Sequence, residues 1–189
     1  MFASLVWAFV ILLLKDVVSI GFEYVYMRVV DPPGLPNLMK LSLAQIGPRF
    51  NLTSPTYLSH FNPENACSQA NDLPFEGTVN IQLLAQTIAL IARGGCSFVT
   101  KVINAHIAGS AAAVIYDLNP RATQTFSMIQ DETNRRVLIP CAFMNGKDGH
   151  ALTVALSSLN TTRALVDFPL QSPVIPTPKE VNFRLWPLR

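Results

Sequence analysis

Residues 86–117 read QTIALIARGGCSFVTKVINAHIAGSAAAVIYD, and two changes of hydrophobic period inside this stretch decide the fold class. Ile88 to Ala92 is an unbroken apolar run of strand length, broken by Gly94-Gly95. From Ser97 the period becomes helical. Phe98, Val102 and Ala105 share one face, with Val99, Ile103 and Ile107 beside it. Ser97 suits the N-cap, since its hydroxyl can accept a backbone N–H of the first turn. Gly109 suits the position just past the helix end, where a left-handed backbone is wanted. Ala112 to Tyr116 is a second buried strand. Strand, helix and strand of these lengths make a βαβ unit with parallel strands and a right-handed crossover.

Upstream, residues 22–30 (FEYVYMRVV) alternate and are rich in aromatic and β-branched side chains, the pattern of a strand, which Asp31-Pro32-Pro33-Gly34 ends. Residues 36–75 carry much Pro, Asn and Ser and read as loops with short strands. Downstream, Val137 to Met144 (VLIPCAFM) predicts a strand with a bulge or edge position at Pro140. Asn145-Gly146-Lys147-Asp148-Gly149 predicts a turn, with Asp148 capping a helix through about Ser158 that carries Leu152, Ala155, Leu156 and Leu159 as its apolar stripe. Residues 163–168 (RALVDF) predict a closing strand. The Pro-rich tail 171–189 is expected to be extended.

The ends and the composition bear on compartment. Leu5 to Leu14 is an apolar run of signal-peptide length, too short to cross a bilayer as a helix. Val17 and Ser19 stand at −3 and −1 of a cut after Ser19, so residues 1–19 are expected to be a cleaved signal peptide, with an uncleaved signal anchor as the rival reading. No later segment is apolar enough to span a membrane, which predicts a soluble mature chain. Two sequons, Asn51-Leu52-Thr53 and Asn160-Thr161-Thr162, make Asn51 and Asn160 candidate glycosylation sites. These features together predict export through the endoplasmic reticulum and Golgi to the outside of the cell. The formal net charge is +2, too small to argue for nucleic acid or an anionic membrane surface. Arg135-Arg136, the only doublet of basic residues, reads as a pair in an exposed loop, with a processing site as the alternative. Three cysteines, Cys67, Cys96 and Cys141, leave one over if two pair. Cys141 lies in an apolar run and reads as a buried small hydrophobe.

Catalytic patterns are absent. His60, His106 and His150 are scattered without metal-ligand spacing, and there is no H-E-x-x-H, C-x-x-C, G-x-S-x-G or phosphate-cradling glycine loop, so no metal or cofactor is expected. His106 reads as a partly buried helix imidazole and His150 as exposed. Gly94-Gly95 before a helix offers an anion the helix N-terminus, although a tight turn is sufficient reason for it. The sharpest enzymatic alternative is a Cys-dependent hydrolase using Cys141 with His150 and Asp148. It conflicts with the apolar setting of Cys141, which raises a thiol pKa.

Arg93, Gly94, Gly95, Cys96, Ser97, Phe98, Lys101, Ala105, Gly109 and Ala113 to Tyr116, followed by Ile139-Pro140 and by Asp148-Gly149 with Leu152, carry a resemblance to the protease-associated (PA) domain family. The two motifs stand in that family's order and separation. The resemblance implies an α/β fold: a β-sandwich-like or distorted-barrel core with flanking helices, here spanning residues 20–170 with its core at 75–168. It also implies that Cys67 and Cys96 pair. Closing that loop of about 30 residues would be worth roughly 3–4 kcal/mol. Cys141 departs from the alanine-like residue usual at its place. Family domains of this kind carry no catalytic residues, so the implied function is a secreted, non-catalytic glycoprotein that binds a protein or peptide partner. A regulatory or substrate-presenting subunit of a protease is the alternative. The connection 117–136, with Phe126 as either anchor or core packing, is the default place for the binding surface.

Overall fold

The computed structural model describes residues 23–35, 38–68 and 87–170; the expected signal peptide, the segment 69–86 and the tail 171–189 lie outside the described residues. The elements run in chain order β1 (Tyr24–Asp31), β2 (Met39–Leu43), β3 (Thr56–His60), β4 (Thr87–Ala92), α1 (Phe98–Ile107), β5 (Ala112–Tyr116), β6 (Cys141–Met144), α2 (Gly146–Ser158) and β7 (Arg163–Leu170). The strands close into a barrel in the order β1-β2-β6-β5-β4-β3-β7. Within it β3, β4, β5 and β6 are mutually parallel neighbours, while β1, β2 and β7 supply the antiparallel joints. The expected distorted barrel with flanking helices is what the chain adopts, and the βαβ unit β4-α1-β5 pairs Ile88 with Ala112 and Ala92 with Tyr116.

Every residue of β4, β5 and β6 is buried, yet period 2 still sorts them. Ile88, Leu90, Ala112, Val114, Ala142 and Met144 face the barrel interior with Met27, Leu41, Leu58 and Phe168. Ala89, Ile91, Ala113, Ile115, Cys141 and Phe143 face outward into a second cluster. That outer cluster is covered by Val99, Val102 and Ala105 of α1 and by Met128, Val137 and Ile139 of the connection between β5 and β6. Leu152 and Leu156 of α2 join the interior cluster instead.

Three local expectations are corrected. Pro140 lies before β6, not within a strand. Its carbonyl accepts from the Ala113 N–H at 3.0 Å, and Val137 and Ile139 serve as outer-core packing. The N-cap of α2 is Asn145: its Oδ1 accepts from the Asp148 N–H at 2.8 Å, and its Nδ2 donates to the Asp148 carboxylate at 2.7 Å. Residues 146–149 are therefore the first helical turn. Strand β7 runs on through Pro169 to Leu170, because the ladder with β1 shifts register between Tyr26 and Arg28 and no N–H is demanded of the proline there.

The seat of α2 sets a steric test. A Cβ on Gly149 would lie 2.6 Å from Tyr116 Cβ and 2.8 Å from its ring. Helix propensity favours Ala over Gly by about 1 kcal/mol, but overlap with an atom fixed to the β5 backbone cannot be relieved by a rotamer. Gly149→Ala is expected to lower stability by about 1–3 kcal/mol, read as a fall in the urea midpoint at constant m. A stabilised variant would show that α2 does not pack on Tyr116.

Candidate binding face at the carboxyl ends of the parallel strands

Because β3, β4, β5 and β6 point the same way, the segments that follow His60, Ala92, Tyr116 and Met144 gather at one end of the barrel. In α/β sheets that is where ligands meet the fold. The turn after β4 is built from the motif residues. Gly94 and Gly95 take φ values of +104° and +83°, which reverse the chain within two residues. A Cβ on Gly95 would sit 2.9 Å from Cys67 Sγ, so only glycine lets the disulfide close against the turn. Cys67 and Cys96 are joined there with a Cα–Cα distance of 5.7 Å. Ser97 then caps α1, accepting from the Thr100 N–H at 3.2 Å, and Ala108 and Gly109 end it.

Lys101 has no exposed surface, and it anchors this end. Its ammonium donates to the carbonyls of Asn65 and of Gly94, the latter at 2.6 Å, and lies 3.5 Å from Cys67 Sγ. One turn on, Asn104 Nδ2 donates to the Ala66 carbonyl at 2.8 Å. A single helix face thus holds the segment 64–68, the glycine turn and the disulfide together. Burial lowers the Lys101 pKa from its ordinary value.

A shallow groove of about 340 Å³ opens beside this anchor, lined by Pro63, Glu64, Asn65, Arg93, Gly94 and Leu118 among others. Arg93 donates to the Asp117 carboxylate at 2.7 Å, and its guanidinium lies 4.8 Å from the Phe126 ring centroid. Tyr116 emerges from the barrel interior to donate its hydroxyl to Glu64, and burial, then that hydrogen bond, push its pKa well above the usual range. Burial pulls the His60 imidazole down from its ordinary value, against the opposing charge of Glu64. Leu118 is 60% exposed, an aliphatic side chain offered to solvent at the rim. The groove therefore combines two fixed polar groups, a pinned cation and an apolar contact.

The other sequence candidates fall elsewhere. Phe126 is half-buried, 3.9 Å from the Phe143 centroid and 5.9 Å from that of Phe98, and packs with the outer core. Cys141 faces that outer core, and burial pushes its thiol up to about 12. His150 is exposed on α2, whose apolar face enters the interior cluster, and the Asp148 carboxylate is bonded to Asn145. The thiol, imidazole and carboxylate of the hydrolase alternative are not brought together. His106 is exposed, because Val102 and Ala105 take the buried face of α1. Asn51 and Asn160 are both exposed. Among the described residues no group of three or more His, Cys, Asp or Glu can hold a metal, and no helix is long and apolar enough to cross a membrane.

The N-terminus of α1 is occupied from within the chain. Asp131 accepts from Ser97 Oγ at 2.7 Å and from Arg135 at 2.8 Å, and Arg135 also reaches Thr100 Oγ1 at 2.8 Å. Hydrogen bonds from Thr133 and Ser97, with Arg135 adding to them, hold the Asp131 carboxyl well below the usual carboxylate range. The helix N-terminus favours the same charge. This latch pins the connection 117–139 over the outer sheet.

Two outcomes follow. Lys101→Met leaves the Asn65 and Gly94 carbonyls without their donor and is expected to cost about 1–3 kcal/mol in denaturant unfolding; unchanged stability would remove the anchor role. For Asp131 the folded pKa lies below the unfolded one. Its contribution is therefore fully present above the ordinary value of 3.8 and is lost as pH falls through the folded value. Asp131→Asn should be less stable than the parent at pH 7, and the gap should close as the pH is lowered below about 4. A gap that persists into acid would mean that the carboxylate charge is not what holds the latch.

Comparison with known proteins places this architecture. The PA domain family matches residues 52–152. The chain is 32% identical over 128 residues to the PRADC1-like protein of Drosophila melanogaster, covering 66% of this chain and 61% of that protein. It is 28% identical over 137 residues to the human E3 ubiquitin-protein ligase ZNRF4, covering 72% of this chain and 29% of the ligase. The fold is similar to that of the aminopeptidase from Aneurinibacillus sp. strain AM-1, with a TM-score of 0.51 at 19% identity, over 77% of this chain and 31% of that one. The chain thus spans about three fifths of the Drosophila relative and under a third of the other two. Glycine turn, buried lysine and barrel all lie within or against the matched residues, and the chain belongs to the PA domain family.

Proposed function

We propose that this chain is a secreted, N-glycosylated and non-catalytic PA domain, spanning residues 20–170, that binds a protein or peptide partner through the groove around Arg93. The observation that carries the reading is the pairing of Leu118, 60% exposed, with a rigid polar rim of Arg93, Glu64 and Asn65. An aliphatic side chain held open beside pre-oriented hydrogen-bonding groups has the makeup of a recognition surface. Supporting the secretory route are the joined Cys67 and Cys96, which suit an oxidising compartment, and the exposure of Asn51 and Asn160. Against the Cys-dependent hydrolase stand the burial of Cys141 in the outer core, the exposure of His150 and the bond of Asp148 to Asn145.

A second reading, a protease's regulatory or substrate-presenting subunit in trans, draws on the likeness of fold to an aminopeptidase. The two readings differ in stoichiometry. Tagged chain purified from conditioned medium is crosslinked in secretory-pathway lysate, beside a Leu118→Asp variant, and the captured proteins are quantified. The binding reading expects a partner that the parent captures and the variant loses. One protease or precursor recovered at near-equal amount would select the regulatory reading. Identical captures by parent and variant would sink the groove around Arg93 as the contact surface.

A further inference from the structure

On the far side of the Asp131 latch, the burial of residues 136–139 alternates, with a bend at Ile139. Val137 and Ile139 are 8% and 6% exposed and pack into the outer core, whereas Arg136 and Leu138 project outward, Leu138 at 53%. That alternation has the period of two of a strand, and the segment belongs to no sheet. The barrel itself is closed, so it offers no edge, but this segment lies outside it. Among the described residues the backbone of Arg136, Val137 and Leu138 makes no hydrogen bond. An open groove of about 540 Å³ is lined by this segment and by Gln45 to Pro48, with Gly47 packed close to Val137 and Ile139.

The charge of that groove has one sign. Arg135 and Arg136 line it and no carboxylate does. Arg135 is committed to Asp131 and Thr100, and Asp131 turns toward Ser97. Arg136 is exposed and forms no ion pair among the described residues, which leaves it as the uncommitted cation. Two residues along, on the same outward face, stands Leu138.

We propose that Arg136–Leu138 is a docking strand that pairs through its backbone with an extended acidic segment of a partner protein, a carboxylate facing Arg136 and an apolar side chain facing Leu138. Backbone pairing gives the register, and the alternate side chains give the selectivity. This surface is separate from the groove around Arg93. The latch holds its N-terminal end in place: Gln130 Nε2 donates to the Arg135 carbonyl at 2.8 Å, and Arg135 is tied to α1.

The test is fluorescence anisotropy on the full mature chain with short fluorescein-labelled peptides in which Glu alternates with Val, against the matching Lys–Val peptides and a Glu–Val peptide N-methylated at alternate amides. The Glu–Val peptide should bind, more weakly as salt rises, and the N-methylated one should not bind. Arg136→Glu should weaken binding about five- to tenfold and improve the Lys–Val peptide. Amide shifts on binding should centre on residues 136–138, while Leu118→Asp should leave the affinity unchanged. Equal binding of the acidic and basic peptides, no binding of either, or binding unaffected by N-methylation would overturn the proposal. So would a dimer of the chain through this segment that the peptide fails to dissociate. Loss of peptide binding in Leu118→Asp would place the peptide at the Arg93 groove, overturning this surface while leaving the first reading intact.

Discussion

Strands β4, β5 and β6 are buried on both faces, and a sheet so apolar cannot face water on either side. The rest of the chain answers that constraint twice. On one side β1, β2, β3 and β7 bend the sheet round until it closes, so its inner residues meet Met27, Leu58 and Phe168. On the other side α1 and the irregular connection from β5 to β6 lie over Ala89, Ile91, Ala113 and Ile115. The long connection is therefore structural cover as well as surface. Its inner residues, Met128, Val137 and Ile139, are core, and its outer ones, Leu118, Arg136 and Leu138, are what the molecule presents.

The covering layer has to be fastened, and polar groups do this at the start of α1 and along its buried flank. At its start, Ser97, Thr100, Asp131 and Arg135 form one bonded cluster. On its buried flank, Lys101 and Asn104 bond the backbone of residues 65, 66 and 94. A buried ammonium is costly unless its donors are satisfied. Here carbonyls supply the acceptors, so the same residue that would weaken a core orders a loop. The disulfide closes beside it. The carboxyl-end face is rigid for that reason, and a rigid face loses little entropy on binding a partner.

The thiol of Cys141 sits in the outer core with its pKa pushed up to about 12, while His150 is exposed on α2 and the Asp148 carboxylate is bonded to Asn145. Among the described residues, the solvent-facing features include a mixed polar and aliphatic groove at the strand ends and, on the flank, a second groove beside residues 136–138. Both surfaces draw on the segments that follow β4 and β5, joined by residues 63–65 after β3 in the first and by residues 45–48 after β2 in the second.

Much of this was legible in the sequence. The period change at Ser97, the glycine pair and the apolar runs specified β4, α1 and β5 almost to the residue, because period and capping are local properties. Membership of the PA domain family rests on the same residues. In the sequence Lys101 stands out only as one of the residues that carry the family resemblance, and Asn104 not at all, although the two stand three apart on α1. Nothing local says that carbonyls of residues 65, 66 and 94 await them. Asn145 and Asp148 are both good caps by residue type, and it is the extended backbone of Asn145 with its bond from the Asp148 N–H that sets where α2 starts. The sequence by itself determined the elements and the glycine turn, since these follow from steric and hydrophobic preferences within a few residues. Only the tertiary structure decided which exposed side chains form a surface and that Cys141, His150 and Asp148 stay apart, because the face a residue shows depends on how the barrel closes and not on its neighbours in the chain.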